Sequence, residues 1–280
     1  MSEERRDIKK IRRGGEMNRV VIDIETKKTF DEVGGQHNLT QLGISFVGLY
    51  SYSQDKYFSF FEKDLPVLEK ILLMEKPEII GYNTVYFDNP ILQTAFKELK
   101  ISELPQLDIF QHVTDALGFR LKLDTLAQAT LGRGKIGDGL DAIKYFRNHQ
   151  YEELAKYCLE DVRITKEIYE YGGKHEKLLY TGGGELREVS VFWGDFKKIN
   201  NNLEKALKDH IQLKVDYLEL DEEGKGEAKN IILDPQEIKN NVLEGFSKEL
   251  QKVIKINVNR ILNLEETGEN FAHQGAFFDV

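Results

Sequence analysis

The sequence predicts an α/β fold built on a mixed sheet, and three features carry that prediction. The first is a set of strand-like runs rich in β-branched and aromatic residues: RVVIDIET from Arg19, LGISFVGLYS at 42–51 and KYFSFF at 56–61. Such composition with alternating polarity marks strands. The short Ser53-Gln54-Asp55 turn joins the second and third as a hairpin, so the three form an antiparallel meander. The second feature is the change of period that follows. Pro66 opens a helix carrying Leu68, Ile71 and Leu72. PEIIGYN is a short, almost wholly apolar strand of the kind buried in parallel sheets. A second helix is expected from about Asp88 to Leu99, and a fifth strand at Leu107–Phe110. The third feature is the run of helical patterns at Asp124–Leu131, Gly139–Phe146 and Tyr151–Tyr171. A meander followed by strands alternating with helices implies a layered fold with a five-stranded mixed sheet flanked by helices.

The ends of the chain differ from this central part. Residues 1–16 hold six Lys/Arg and four Asp/Glu with only Ile8 and Ile11 as large aliphatics, which predicts a mobile tail, and Met17 offers a second start. After the Gly182-Gly183-Gly184 turn, ELREVSVFW reads as a closing hairpin, ending the domain expected at 17–194. Residues 195–280 carry twelve Lys/Arg against seventeen Asp/Glu and form an accessory α/β segment. Phe196, Ile199, Leu203 and Leu207 make one apolar stripe. Asp234-Pro235-Gln236-Glu237 has the signature of a helix start. Apolar residues recur every three to four positions from Ile238 to Ile261, which predicts a long amphipathic helix running to about Leu264. Its stripe implies docking on the core, on a second copy in a homodimer, or on a protein partner.

Composition narrows the classes of function. Apolar residues make up 40% and charged residues 31%, enough for a core and too mixed for a disordered chain. No apolar run approaches the ~20 residues of a membrane span, and the charged N-terminus lacks a secretory pattern. A single cysteine, Cys158, fits a reducing cytoplasmic setting. The net charge of −9 argues against a broad basic face that coats nucleic acid. It leaves room for an enzyme that grips phosphates through bound cations.

Three local patterns carry chemistry. Asp23 and Glu25 stand two apart near the end of the first strand. Strand alternation sends both carboxylates to one side, about 5–7 Å apart, and Ile22 and Ile24 to the other. Carboxylates so held repel unless a cation lies between them, and hard divalent ions take such oxygen ligands. Gly81-Tyr82-Asn83-Thr84-Val85-Tyr86-Phe87-Asp88 follows the fourth strand, at the carboxyl end where open α/β sheets bind ligands. Asp88 there also suits the start of a helix as a dipole partner. In the last helix Tyr157 and Asp161, at i and i+4, lie on one face. Each pattern alone is as well explained by an ordinary strand end, helix start or surface pair. Arg133 and Lys135 in the loop Gly132–Gly139 read either as a flexible connection or as contacts to backbone phosphates. Tyr82, Tyr86 and Phe87 read as base-stacking or core aromatics.

Taken in order, Asp-Ile-Glu-Thr ending the first strand, Asn-x3-Phe-Asp after the fourth, and Tyr-x3-Asp in a late helix resemble the DEDD superfamily of 3′–5′ exonucleases. The match is to its tyrosine branch, on the ribonuclease H-like fold, over about residues 18–193. Glu32-Val33-Gly34-Gly35, Leu123–Ala127 and Glu185–Val189 are similar to linking segments of the YprB-like predicted exonucleases. The histidine branch is disfavoured because Lys156 stands where its histidine would be. The resemblance implies that Asp23, Glu25, Asp88 and Asp161 hold two divalent cations, Mg²⁺ or Mn²⁺. Asp23 would bridge both, Glu25 and Asp161 would hold the ion carrying the attacking water, and Asp88 would support the second. Tyr157 would orient that water, and Asn83 and Phe87 would flank the terminal nucleotide of single-stranded DNA or RNA. The expected activity is a metal-dependent 3′–5′ exonuclease releasing nucleoside 5′-monophosphates. The alternatives are a weakly catalytic or non-catalytic ribonuclease H-like module binding nucleic acid or a partner, and an endonuclease of the same fold.

Overall fold

The computed structural model describes residues 18–271 apart from 135–136, 138, 194–195, 221–225 and 240–241. The tail expected at 1–16 and Lys135 therefore lie outside the described residues. The chain divides into two compact units, one made of residues up to Gln111 with Leu121–Glu170, the other of His112–Arg120 with the residues from Tyr171 onward.

The first unit is built on the expected sheet. β1 (Arg19–Thr26), β2 (Ile44–Ser51) and β3 (Lys56–Phe61) form the meander, and β4 (Glu78–Gly81) and β5 (Gln106–Asp108) complete five strands in the order β3-β2-β1-β4-β5. β1 pairs antiparallel with β2 and parallel with β4, and β4 pairs parallel with β5, so the sheet is mixed. Between the strands lie α1 (Leu65–Glu75) and α2 (Asp88–Gln93), and after β5 come α3 (Ile109–Leu117), which passes into the second unit at His112, α4 (Leu123–Leu131), α5 (Gly139–Arg147) and α6 (Tyr151–His175), which passes into it at Tyr171. Two of these depart from expectation. α2 stops at Gln93 rather than Leu99, and α3 follows β5 directly where strand was expected to run on to Phe110. Asp108 accounts for the second difference: its Oδ1 accepts the N–H groups of Phe110 and Gln111, at 3.0 and 3.4 Å, and so starts a helix where the strand ends.

Alternation along the strands sets two cores. Val20, Ile22, Ile24, Val47 and Leu49 pack with Leu65, Leu68 and Leu72 of α1 and with Ile91 and Leu92 of α2. On the opposite face Phe46 packs with Ala142 of α5 and Leu154, Tyr157 and Cys158 of α6. Phe46 and Gly48 are the register partners of Glu25 and Asp23, so the two acids share the face that α6 covers. Gly48 matters to that covering. A Cβ there would stand 3.0 Å from Val162 Cγ2 and 3.1 Å from Cys158 Sγ, so any side chain at this position makes the α6 contact give by a few tenths of an ångström.

The second unit corrects the largest expectation. The hairpin β6 (Lys177–Gly182) and β7 (Glu185–Ser190) forms as expected but belongs to this unit rather than closing the first. On α7 (Phe196–Asp209), Ile199 and Leu203 of the expected stripe are buried together with Ala206, Leu207 is half-buried, and the side chain of Phe196 lies outside what is described. No long helix follows it. β8 (Ile211–Leu220), β9 (Gly226–Lys239), β10 (Val242–Ser247), β11 (Lys252–Asn257) and β12 (Ile261–Asn270) form an antiparallel sheet in the order β11-β10-β9-β8-β12. A four-residue spacing places residues on one face of a strand as well as of a helix, because four is twice the strand period. On β10 it is Leu243, Gly245 and Ser247 that are buried, not the Val242 and Phe246 of the helical reading. Asp234-Pro235 lies within β9 at a register shift, where a residue lacking an N–H is tolerated.

The Gly48 contact gives a direct check. Gly48→Val forces side-chain atoms into the α6 contact, and overpacking of this kind typically costs ~1–3 kcal/mol. Thermal unfolding of the variant is expected several degrees below the parent; an unchanged melting temperature contradicts the close approach.

Candidate functional site

β1 outruns its parallel neighbour. Its pairing with β4 ends at Val21↔Ile80, and β4 itself ends at Gly81. Past that point the chain turns sharply: a Cβ on Gly81 would overlap Thr84 Oγ1, and Asn83 adopts a left-handed backbone at φ +68°. The turn carries Asp88 back to β1, where its Oδ1 accepts the Ile24 N–H at 3.1 Å. The same turn is braced by a residue that the sequence reading passed over. Asp108, buried at the end of β5, accepts the N–H of Asn83 at 2.8 Å and of Val85 at 3.0 Å. Its signal in the sequence was an acid at the end of the third parallel strand, beside a loop already suspected of binding.

The acids gather around the end of β1. Glu25, Asp88 and Asp161 are buried, at 7%, 4% and 2% exposure, and Asp23 is half-buried. Burial first, then the charges of Asp23 and Asp108, hold the Asp88 carboxyl well above the ordinary carboxylate range, against the opposing Ile24 N–H. Cys158 lies on the same side, its Sγ 3.5 Å from Asp23 Oδ2, and donor atoms of Asp23, Glu25 and Cys158 all fall within 4.8 Å of one another. Burial pushes its thiol up well above the usual value, and the charges of Asp23, Glu25 and Asp161 add to the shift. The four acids named from the sequence are therefore brought into one electrostatic neighbourhood: Asp88 beside Asp23, and Asp161 beside the thiol that touches Asp23. Tyr157 is buried one turn from Asp161 on α6.

The surrounding residues divide into those that face outward and those already engaged. Tyr82 is committed to the protein, its hydroxyl donating to the Leu121 carbonyl at 2.8 Å and its ring edge-on to Phe110, so the base-stacking reading does not hold for it. Phe87 packs edge-on against Phe30, with centroids 6.1 Å apart, while Tyr86 is 63% exposed. Arg133 is ion-paired with Glu160 at 2.9 Å and with Glu167. Not every buried acid joins the cluster: Glu69 accepts the N–H groups of Lys97, Glu98 and Leu99, a purely structural cap.

The donor set suits a hard cation. Carboxylate oxygens are the ligands such ions take, and opposite charge is what a group of crowded, poorly solvated carboxylates lacks. The thiol of Cys158, held protonated by burial and by those same acids, fills space beside them rather than offering a thiolate.

A mixed sheet with helices on both faces and an acid cluster at the end of its first strand defines a protein of the ribonuclease H-like fold. The RNase_H superfamily model matches residues 20–172, more than half of the chain, and the chain belongs to that superfamily. No curated protein matches the sequence. Among solved structures, proteasome accessory factor B/C of Arthrobacter aurescens is similar at 16% identity and a TM-score of 0.25, covering 55% of this chain and 21% of that one. The zinc-bound complex of E. coli ExoI with single-stranded DNA is similar at 9% identity and a TM-score of 0.42, covering 90% of this chain and 65% of that one. This chain thus spans less than two thirds of the length of either structure.

The raised Asp88 carboxyl predicts a pH-dependent cost. The native state holds that proton more tightly than the unfolded chain does, so stability falls as pH rises from the ordinary carboxylate range through the raised native value. Asp88→Asn keeps an oxygen acceptor for the Ile24 N–H and removes the charge. In chelator it is expected to melt above the parent at pH 8 and level with it near pH 4; equal melting at both contradicts the burial of an uncompensated charge.

Proposed function

We propose that the chain is a metal-dependent 3′–5′ exonuclease of the tyrosine branch, removing nucleotides from single-stranded ends as nucleoside 5′-monophosphates. The observation that carries this reading is the crowding of Asp23, Glu25, Asp88 and Asp161 about the end of β1, with Tyr157 one turn from Asp161. In the mechanism Asp23, Glu25, Asp88 and Asp161 would be the residues that hold the divalent cations. When bound, such cations lower the pKa of a water and stabilise the attacking and leaving oxygens of an in-line displacement. Buried carboxylates have little competing solvent, which strengthens their hold on a cation.

The chain's own groups do the rest. Tyr157, fixed by packing on α6, orients the attacking water through its hydroxyl. Asp108 holds the Asn83 turn rigid, so that Asn83 and Phe87 flank the terminal nucleotide. The water oxygen bonds to phosphorus, the bond to the 3′-oxygen of the preceding nucleotide breaks, and that oxygen takes up a proton. The phosphate therefore stays on the released nucleotide, at its 5′ position. Arg133, and Lys135 from outside the described residues, meet backbone phosphates as the strand enters, Arg133 exchanging its carboxylate partners for phosphate.

The test is digestion of a 5′-labelled single strand with Mg²⁺ or Mn²⁺. The expected product is a ladder shortened one nucleotide at a time, abolished by chelator. Even residues supporting a metal ligand commonly contribute 10–100-fold, so Asp23→Asn is expected to lower the rate by at least ~100-fold. Cuts at internal positions would point to an endonuclease, and equal rates for parent and Asp23→Asn would contradict any catalytic role for the cluster.

A further inference from the structure

The second unit contains a basic groove for which the acid cluster has no use. Its sheet has β11 and β12 as its outer strands. β11 lies at one edge, and β8 runs on past Tyr217, the last of its residues at that end to pair with β12. Between the end of β8 and β11 is an open cavity of about 380 Å³, lined by Tyr217, Leu218 and Glu219 on one side and by Leu250, Lys252–Asn257 and Arg260 on the other. A volume of this size is in the range that holds a small organic ligand, such as one nucleotide unit. An open sheet edge also presents unpaired backbone donors and acceptors.

The lining is cationic in a chain of net charge −9. The lining holds Lys252, Lys255 and Arg260 against one acid, Glu219, which is itself within 3.9 Å of Lys229; outside the lining, Glu244 offsets Lys255 and Asp115 offsets Arg260. Lys252 is exposed and makes no ion pair among the described residues. The ammonium of Lys255 reaches Glu244 on β10, yet its side chain remains 66% exposed. Arg260 is fixed by donating to the main-chain carbonyl of Asp115. Tyr217 is half-buried, and Leu250 and Val253 are 50% and 46% exposed, so apolar surface alternates with charge along the groove. Cations with an aromatic and exposed aliphatics along one channel are the pattern that grips a single strand without reading its sequence.

We propose that this groove binds the sugar–phosphate backbone of single-stranded nucleic acid, as a second site separate from the acid cluster. The choice of ligand rests on the nuclease reading; the charge complementarity does not. The experiment is equilibrium binding of a fluorescent oligothymidylate to the full chain in chelator, over a range of salt, so that no hydrolysis is required. Each phosphate contact on a single strand contributes about 0.7 to the salt slope. Lys252→Gln with Lys255→Gln is expected to lower the slope by about 1.4 and to weaken binding at least ~5-fold at 0.1 M salt. Lys208→Gln with Lys214→Gln, on exposed positions elsewhere in the unit, is expected to leave both unchanged. Unchanged binding by the groove pair, an equal loss in the control pair, or equal displacement by polyglutamate at matched charge would overturn the proposal. Failure of digestion with intact groove-dependent binding would remove the exonuclease reading alone; digestion with groove-independent binding would remove the groove alone.

Discussion

Mutual repulsion among carboxylates at one strand end is the constraint around which the first unit is organised. Two acids on consecutive same-face positions of β1 would ordinarily point into water. Here α6 covers them, because Gly48 on the neighbouring strand leaves room for its approach. A third, Asp88, is folded back by the turn after β4 and tied to the β1 backbone. A fourth, Asp161, rides on the covering helix. An arrangement so costly in Coulomb energy persists only where the surrounding packing over-determines it, and both sheet faces are packed with fully buried aliphatics. Burial first, and then the neighbouring acids, raise the Asp88 carboxyl and the Cys158 thiol well above their usual values.

How much of this was legible in the sequence depended on whether the signal was local. The period-2 run of RVVIDIET placed Asp23 and Glu25 on one face because alternation is a property of the strand itself. The hairpin of β2 and β3 and the mixed character of the five-stranded sheet followed from turn spacing and from the short, buried EIIG segment; the order of the strands did not. Asp108 escaped notice because its role is long-range: it caps backbone amides about 25 residues earlier in the chain, and nothing adjacent to it announces that. Tyr82 could not be sorted between stacking and packing until its Leu121 partner was seen. The C-terminal sheet was misread for a different reason. Residues four apart satisfy helical and strand periods alike, and Asp234-Pro235 imitates a helix start although Asp234 is buried in β9, accepting from Gln212 at 2.7 Å. The β-branched content of 252–258 and 231–233 was the evidence for strands.

The two units differ in where they place charge. In the first, acids are concentrated at one strand end and the nearby cation Arg133 is already paired with glutamates. In the second, an acidic segment nonetheless exposes lysines along one seam of its sheet. Among the described residues no helix is long and apolar enough to cross a membrane. The RNase_H superfamily match, residues 20–172, spans the first sheet and its acids; the antiparallel sheet beyond it lies outside that match.

Anomalous diffraction from crystals soaked in Mn²⁺ with a nucleoside 5′-monophosphate tests the central claim most directly. Oxygen ligands hold small divalent ions at about 2.0–2.3 Å. Anomalous peaks at that distance from the carboxylates of Asp23 and Asp161, with the phosphate of the nucleotide on the same ions, are the predicted result. A nucleotide-bound crystal with no anomalous peak between those carboxylates would contradict it.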